Sequence, residues 1–343
     1  MTGFLNVLWT VFWGVLVLSV LVFVHEGGHY LSARAFRVRA TEFFLGMPCR
    51  FKLSRKSRSV GTEFGVTPLL LGGYTRICGM EGASDELLAP ALDLVTRRGR
   101  ISAQEGADEL HVDLDRAYEL LVTLSDWASV QPYYDPAKGE TPNQKTYPAA
   151  FEAPARDANL LTEYDRGHDF SLEGSTKAGE GRETGMSAEE FLDHERGRTY
   201  LGVGFLKRCA MLVAGPLVNI VLAFLIVTFA FMVRGVDYVA NVSTISGVTE
   251  GTPAAAAGLR AGDVITEVDG EPVSTWDDLV SAFGPLLESG TDFELTFERD
   301  GAEQTVLVDL PDGEASEQVG VLATVDTYHP DFIQAATATL DYT

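Results

Sequence analysis

The sequence predicts a multi-pass α-helical membrane protein with a membrane-associated β-hairpin and a small extracytoplasmic α+β domain. Three observations carry that expectation. Residues 4–24 and 205–233 are apolar runs, each long enough for a helix across a hydrocarbon core of about 30 Å. A cluster of basic residues follows the first run. After the second run the sequence alternates in short apolar strands marked off by glycines.

The chain has 343 residues, room for two or three domains. Its net charge of −23 argues against nucleic acid as a partner. Cys49, Cys78 and Cys209 are scattered and odd in number, so they outline neither a disulfide framework nor a C-x-x-C metal site. They read as buried or membrane-facing thiols.

Within 1–83, run 4–24 has no charge, no basic leader and no small-residue cleavage site, which favours a span over a signal peptide. Arg34, Arg37, Arg39, Arg50, Lys52, Arg55, Lys56 and Arg58 follow, opposed by Glu42. The positive-inside rule places this end in the cytoplasm and the N-terminus outside. Residues 41–81 read as strands and turns. Within them Pro68-Leu69-Leu70-Leu71-Gly72-Gly73-Tyr74 is too short to span and is broken by Gly-Gly, as suits an apolar hairpin. Residues 84–200 are acidic and polar, with a weak helical pattern over 107–130. They are expected to form a mostly irregular cytoplasmic insertion. His111, His168 and His194 lie there without ligand spacing and read as solvated.

Residues 201–235 hold the second helix, with Lys207 and Arg208 at its cytoplasmic start. Gly215-Pro216 loosens it. Asn219 is a polar group at membrane depth and needs a partner, either a neighbouring helix or a substrate or bound water. Residues 236–324 form the outer domain. Two strands flank an Asp300-Gly301 turn, and a helix starts at Trp276. Residues 325–343 begin a further helix.

His25-Glu26-Gly27-Gly28-His29 closes the first run. On a helix, residues four apart share a face, so both imidazoles can reach one metal ion. Neutral imidazole suits zinc. Glu26, one helical step on, is placed to take a proton rather than to complete that face. The competing reading is an interfacial histidine pair capping a membrane helix.

Four motifs carry a family resemblance. They are Val24-His25-Glu26-Gly27-Gly28-His29-Tyr30; Pro68 to Tyr74, similar to a P-L-G-G-Y hairpin with insertions; Ala214-Gly215-Pro216-Leu217-Val218-Asn219, similar to A-G-P-x-x-N; and Thr252-Pro253-Ala254 through Gly262-Asp263-Val264-Ile265 to Asp269-Gly270, typical of bacterial PDZ domains. Through them the chain resembles the site-2 protease family of intramembrane zinc metalloproteases, in the regulator-of-sigma-E type with a PDZ domain. The resemblance implies Zn2+ held by His25 and His29, with Glu26 as general base. It implies a third ligand from an Asp in an L-D-G motif on a later helix. Leu114-Asp115, Leu192-Asp193 and Leu340-Asp341 all lack the glycine. That ligand is therefore expected beyond Thr343, with Glu63 and Asn219 the first alternatives inside the chain.

Substrates are expected to be single-pass membrane proteins, for example anti-sigma factors or signal-peptide remnants. They would be held at Leu71, Gly72, Gly73, Tyr74 and Asn219 by pairing of an unwound strand. Val319, Gly320 and Val321 are expected to form a carboxylate-binding loop for peptide C-termini, or for substrate ectodomains, in a PDZ domain whose first strand comes last in sequence. The implied location is the inner membrane. Rival expectations are a catalytically inactive membrane-bound PDZ binding protein and a membrane-tethered zincin with a soluble active site.

Overall fold

The computed structural model describes residues 2–81, 84–142, 148–310 and 318–341. The chain divides into two compact units, Met1–Leu222 and Ala223–Thr343. The division falls inside the second long helix, not at its end near residue 235.

In the first unit, α1 (Thr2–Ala35) has 34 residues. At 1.5 Å per residue it is about 51 Å long, which exceeds the hydrocarbon core by several turns. It stops where Arg37 takes φ 65° and the Val38 N–H returns to the Ala33 carbonyl (2.9 Å). Four strands follow: β1 (Ala40–Leu45), β2 (Leu53–Lys56), β3 (Glu63–Val66) and β4 (Gly73–Ile77). Their order is β2-β3-β1-β4, with β1 and β3 parallel and the other pairs antiparallel. Aromatic side chains hold the sheet against α1. Phe43 meets Phe23 at 4.9 Å and Tyr30 at 5.3 Å between ring centroids.

The expected hairpin over 68–74 is corrected. The stretch is a loop that enters edge strand β4, and β4 pairs with β1. Leu71 lies in that loop, its N–H bonded to the Leu69 carbonyl (2.9 Å), and Gly72 takes φ 153°. Gly73 and Tyr74 begin the strand.

Residues 84–200 also differ from expectation. The described residues among them fold around a core of their own, formed by Leu88, Leu92, Val95, Leu121, Phe151 and Phe191 among others. The elements are α2 (Leu88–Arg98), β5 (Arg100–Ser102), α3 (Ala103–Leu110), α4 (Leu114–Asp126), β6 (Gln131–Tyr133), β7 (Ala150–Glu152) and α5 (Ala188–Arg196). The helices are short and amphipathic, α4 burying Ala117, Leu120, Leu121 and Leu124, and side-chain caps start three of them. Ser102 with Glu105, and Ser187 with Glu190, form capping boxes. The weak pattern over 107–130 is two helices. His111 (φ 56°) closes α3, and Asp113 caps α4.

A charged cluster fastens this region to the start of β1. Arg39 is fully buried. It donates to Asp165 through Nε (2.9 Å) and Nη2 (2.6 Å), and to Glu195 through Nη1 (2.7 Å). Arg156 and Arg198 also reach Glu195, each at 3.0 Å. Burial pushes the Glu195 and Asp165 carboxyls up. The arginine charges outweigh it and hold both below the usual carboxylate range.

The second long helix, α6 (Phe205–Arg234), contains Pro216. Both α1 and α6 are long and apolar enough to cross a membrane, and their most apolar windows are only 6% and 11% buried.

In the second unit the chain continues through β8 (Val236–Val239), β9 (Ile245–Val248), α7 (Pro253–Ala256), β10 (Val264–Val268), β11 (Glu271–Pro272) and α8 (Trp276–Ser289). Then come β12 (Phe293–Arg299), β13 (Ala302–Val308), β14 (Val321–Ala323), β15 (Val325–Tyr328) and α9 (Phe332–Asp341). The main sheet runs β11-β10-β12-β13. Asp300 and Gly301, both at positive φ, make the two-residue turn that joins β12 to β13. The late strand β14 pairs with the early strand β9. Ile245, Ile265, Leu279, Phe293, Phe297 and Val319 fill the core. Beside α6, the Thr228 and Thr339 hydroxyls meet at 3.1 Å.

Candidate metal centre

His25 and His29 sit one turn apart on α1, where the 3.6-residue repeat stacks them. Their Nε2 atoms are 3.2 Å apart. Two tetrahedral zinc ligands at about 2.05 Å from the metal would be separated by about 3.3 Å. Each ring is oriented from behind by α6. His29 Nδ1–H donates to the Met211 carbonyl (2.7 Å), leaving its Nε2 lone pair free. Behind His25, Nδ1 faces the Asn219 side-chain nitrogen at 3.5 Å, while Asn219 Oδ1 is buried with no partner. Turning the amide over resolves both: Oδ1 then accepts from His25 Nδ1–H, and the second Nε2 lone pair points at the first.

Small residues make this approach possible. A Cβ on Gly28 would lie 2.6 Å from the Ala214 carbonyl oxygen, so only glycine lets the two helices touch there. A Cβ on Gly215 would lie 2.4 Å from His29 Nε2 and 2.8 Å from His25 Nε2. Gly215 therefore keeps clear the space both nitrogens face. That cleared space and the two neutral imidazoles fit a divalent cation of zinc's type. Among the described residues, no group of three His, Cys, Asp or Glu is placed to hold a metal ion. Glu63, a candidate third ligand, is on β3 and bonded to Lys52 (2.8 Å). Asn219 addresses Nδ1 of His25, the side away from the shared space.

Glu26 faces β4. A Cβ on Gly73 would lie 3.6 Å from Glu26 Cγ, and Thr75 Oγ1 donates to the Glu26 carbonyl (3.2 Å). Among the described residues strand β4 pairs on one side only, so an unpaired edge starts next to the catalytic candidate. Tyr74 turns into the sheet. Its ring stacks on Phe44 at 5.2 Å and its hydroxyl donates to Glu42 (2.7 Å). Leu71 and Gly72 lie in the adjoining loop, with Leu71 exposed.

In the second unit, Val319 is buried and its carbonyl accepts from Ala254 N–H (3.0 Å). Gly320 at φ 94° lies over Thr252, where a Cβ would overlap the side chain. Val321 opens β14. Sequence reasoning missed Gly28, Gly215 and the Met211 carbonyl. The available signal was the cluster of small residues, Ala214-Gly215, in an otherwise bulky apolar helix.

The Peptidase family M50 model matches residues 13–341. A putative zinc metalloprotease of Lactococcus lactis is 25% identical over 326 residues, 91% of this chain and 68% of that protein. The regulator of sigma-W protease RasP of Bacillus subtilis is 25% identical over 276 residues, 78% of this chain and 56% of its own length. The chain thus spans about half to two thirds of the curated relatives it matches. The PDZ domain of an SdrC-like protein from Listeria monocytogenes overlays 24% of the chain at 21% identity and a TM-score of 0.20, too low to support a fold assignment. With its family model covering nearly every residue, and with paired imidazoles under a cleared glycine, the chain belongs to Peptidase family M50, the site-2 proteases.

Proposed function

We propose that this chain carries the catalytic helix pair of an intramembrane zinc metalloprotease that cuts membrane-spanning substrates. The observation that carries the reading is the convergence of His25 Nε2 and His29 Nε2 on a space that Gly215 keeps empty. His25 and His29 would hold the metal, with a third ligand from outside the described residues. Zinc bound there would supply Lewis acidity, which polarises a peptide carbonyl and acidifies water. Glu26 accepts the proton from the attacking water and delivers it to the departing amide nitrogen. Met211 and Asn219 fix the imidazole tautomers.

A membrane-spanning helix has its backbone bonded internally, so it must unwind before it can be cut. The free edge of β4, running past Glu26, offers backbone groups to the unwound segment. Gly73 lets that backbone approach closely. The basic residues after α1 support a cytoplasmic placing of this sheet and of 84–200. The β-rich second unit then lies outside as a PDZ-type domain, where Val319, Gly320 and Val321 would receive peptide chain ends or filter substrate ectodomains.

The test uses the full-length protein with a membrane-spanning reporter substrate. Glu26→Gln should abolish cleavage and keep zinc, whereas His25→Ala should lose both. Undiminished cleavage by Glu26→Gln would falsify the mechanism. A second reading is a membrane-bound binding protein without catalysis, and cleavage of the reporter by the unaltered full-length protein would exclude it.

A further inference from the structure

The sheet carries a surface that neither the metal centre nor edge strand β4 uses. It runs from loop 67–72 across β3 and β2 to residues 50–58. Its depth is marked by Ser19, whose hydroxyl donates to the Leu70 carbonyl. Ser19 precedes His25 by six residues, so the loop reaches about 9 Å further into the apolar run of α1. Apolar side chains continue from there and are bare. Leu53 is 82% exposed and Phe51 73%, and Val66, Leu69 and Leu71 are also exposed. Shallow grooves of about 450 and 530 Å³ lie between them, the first lined by Phe23, Phe43 and Leu53, the second by Phe51, Leu53 and Leu70.

Basic side chains border the same surface. Arg50 and Lys52 line the groove that holds Phe51, Leu53 and Leu70, and Arg55, on the same face of β2 as Leu53, lines the other. Residues 50–58 hold Arg50, Lys52, Arg55, Lys56 and Arg58 and no acid, in a chain of net charge −23. Lys52 and Lys56 are bonded to Glu63 and Glu163. Arg50, Arg55 and Arg58 are exposed, with no ion pair among the described residues.

Water is a poor partner for so much contiguous apolar surface, and such patches mark interaction sites. A lipid leaflet suits both kinds of group. Leu53, Phe51 and Leu70 enter the acyl boundary, while guanidinium groups reach back to phosphates, which they bind in bidentate fashion. We propose that residues 50–58, with Val66 and loop 67–72, dock onto anionic phospholipid headgroups of the leaflet at this end of α1. The inference rests on α1 spanning the bilayer and is independent of catalysis. Its consequence is a fixed height for β4 relative to the bilayer, and hence for any strand paired along it.

Cys49 provides the probe, being exposed beside Arg50, while Cys78 is buried. A nitroxide is placed on Cys49 in the full chain carrying Cys209→Ser. The protein is reconstituted in nanodiscs of phosphatidylcholine alone or with about 30% phosphatidylglycerol. Accessibility to oxygen and to a water-soluble nickel chelate reports depth. The label should become nickel-protected with phosphatidylglycerol. The protection should be lost at about 0.5 M salt, where screening shortens to about 4 Å. It should also be lost in R50Q/R55Q/R58Q, which alters only exposed side chains. Leu53→Ser in the same lipid should reduce oxygen contact. Equal protection in both lipid mixtures, an aqueous label in both, or protection only on adding a substrate peptide would each overturn the proposal.

Discussion

The helix contact at His25 and the folded region 84–200 sit in the same unit and are built on opposite principles. At the contact, side chains are removed. Gly28, Ala214 and Gly215 let two backbones meet, and the Met211 carbonyl and the Asn219 amide orient two rings. In 84–200, charge is packed in. Three arginines and two carboxylates close a cluster in which Arg39 and Glu195 have no exposed surface. The first arrangement gives up packing to create a space. The second is costly to desolvate, and removing one partner leaves an unpaired buried charge. The two regions should therefore fail independently and in different observables.

The largest effect is expected at Gly215. Replacing glycine by alanine in a helix normally stabilises it by about 1 kcal/mol. Here the added methyl meets both Nε2 atoms. Gly215→Ala should bring bound zinc in the full-length protein to background with no loss of helicity. Full zinc occupancy in that variant would place the metal elsewhere.

Arg39→Ala probes the other region. Breaking a buried ion pair typically costs about 3–5 kcal/mol. Amide exchange across residues 88–196 should accelerate accordingly, with the zinc content of the folded fraction unchanged. Unaltered exchange would mean that the core around Leu92 and Phe151 holds the region without the cluster.

Acid should act on this region first. Asp165 and Glu195 are held below their usual range, so the unfolded chain binds more protons there as pH falls. Burial and the neighbouring Arg198 charge push His194 down, and the sign is the same. Stability of 88–196 should decline gently as pH drops below about 6.5 and steeply below about 4. Exchange measured over that range would show it, and a flat profile would contradict the assignment.

Asn219 links the site to its helix partner. Loss of an outer-shell partner typically lowers metal affinity by about 10–100-fold. Asn219→Ala should do so, and Asn219→Asp, which restores an acceptor for His25 Nδ1–H, should recover much of it. An Asn219→Ala protein with unchanged zinc affinity would reduce the contact to helix packing.

The same contrast explains what was legible in the sequence. His25, Glu26 and His29 stand in fixed local spacing, so one helix geometry determines where they point. The Asp300-Gly301 turn is local in the same way. Region 84–200 was misread because its periodic stretches are short and the contacts that join them are long-range. Arg39 meets Glu195 across 156 residues and Asp165 across 126. No window reveals such a pairing, and high acidity with many turns imitates a chain that cannot bury a core. Strand β4 was misassigned for a related reason: Gly73 and Tyr74 pair with Leu45 and Phe44, not with the residues just before them.

The smallest expected effect tests whether local signals were nonetheless present there. Ser102 accepts from the Glu105 N–H (3.1 Å), and the Glu105 carboxylate accepts from the Ser102 N–H (2.7 Å). These two bonds satisfy donors that the first turn of α3 would otherwise leave open. The Ser102 N–H and the Ser102 hydroxyl, both donating to it, hold the Glu105 carboxyl below its usual range. Ser102→Ala should cost about 1 kcal/mol. The loss should appear as faster exchange confined to 103–110, because α3 is exposed along one side while Ala103 and Ala107 stay packed. The cluster around Arg39 is not touched by that change. If Ser102→Ala loosened all of 88–196 as far as Arg39→Ala does, the caps and the buried charges would form one cooperative unit, and the distinction between local and long-range support within this region would fall.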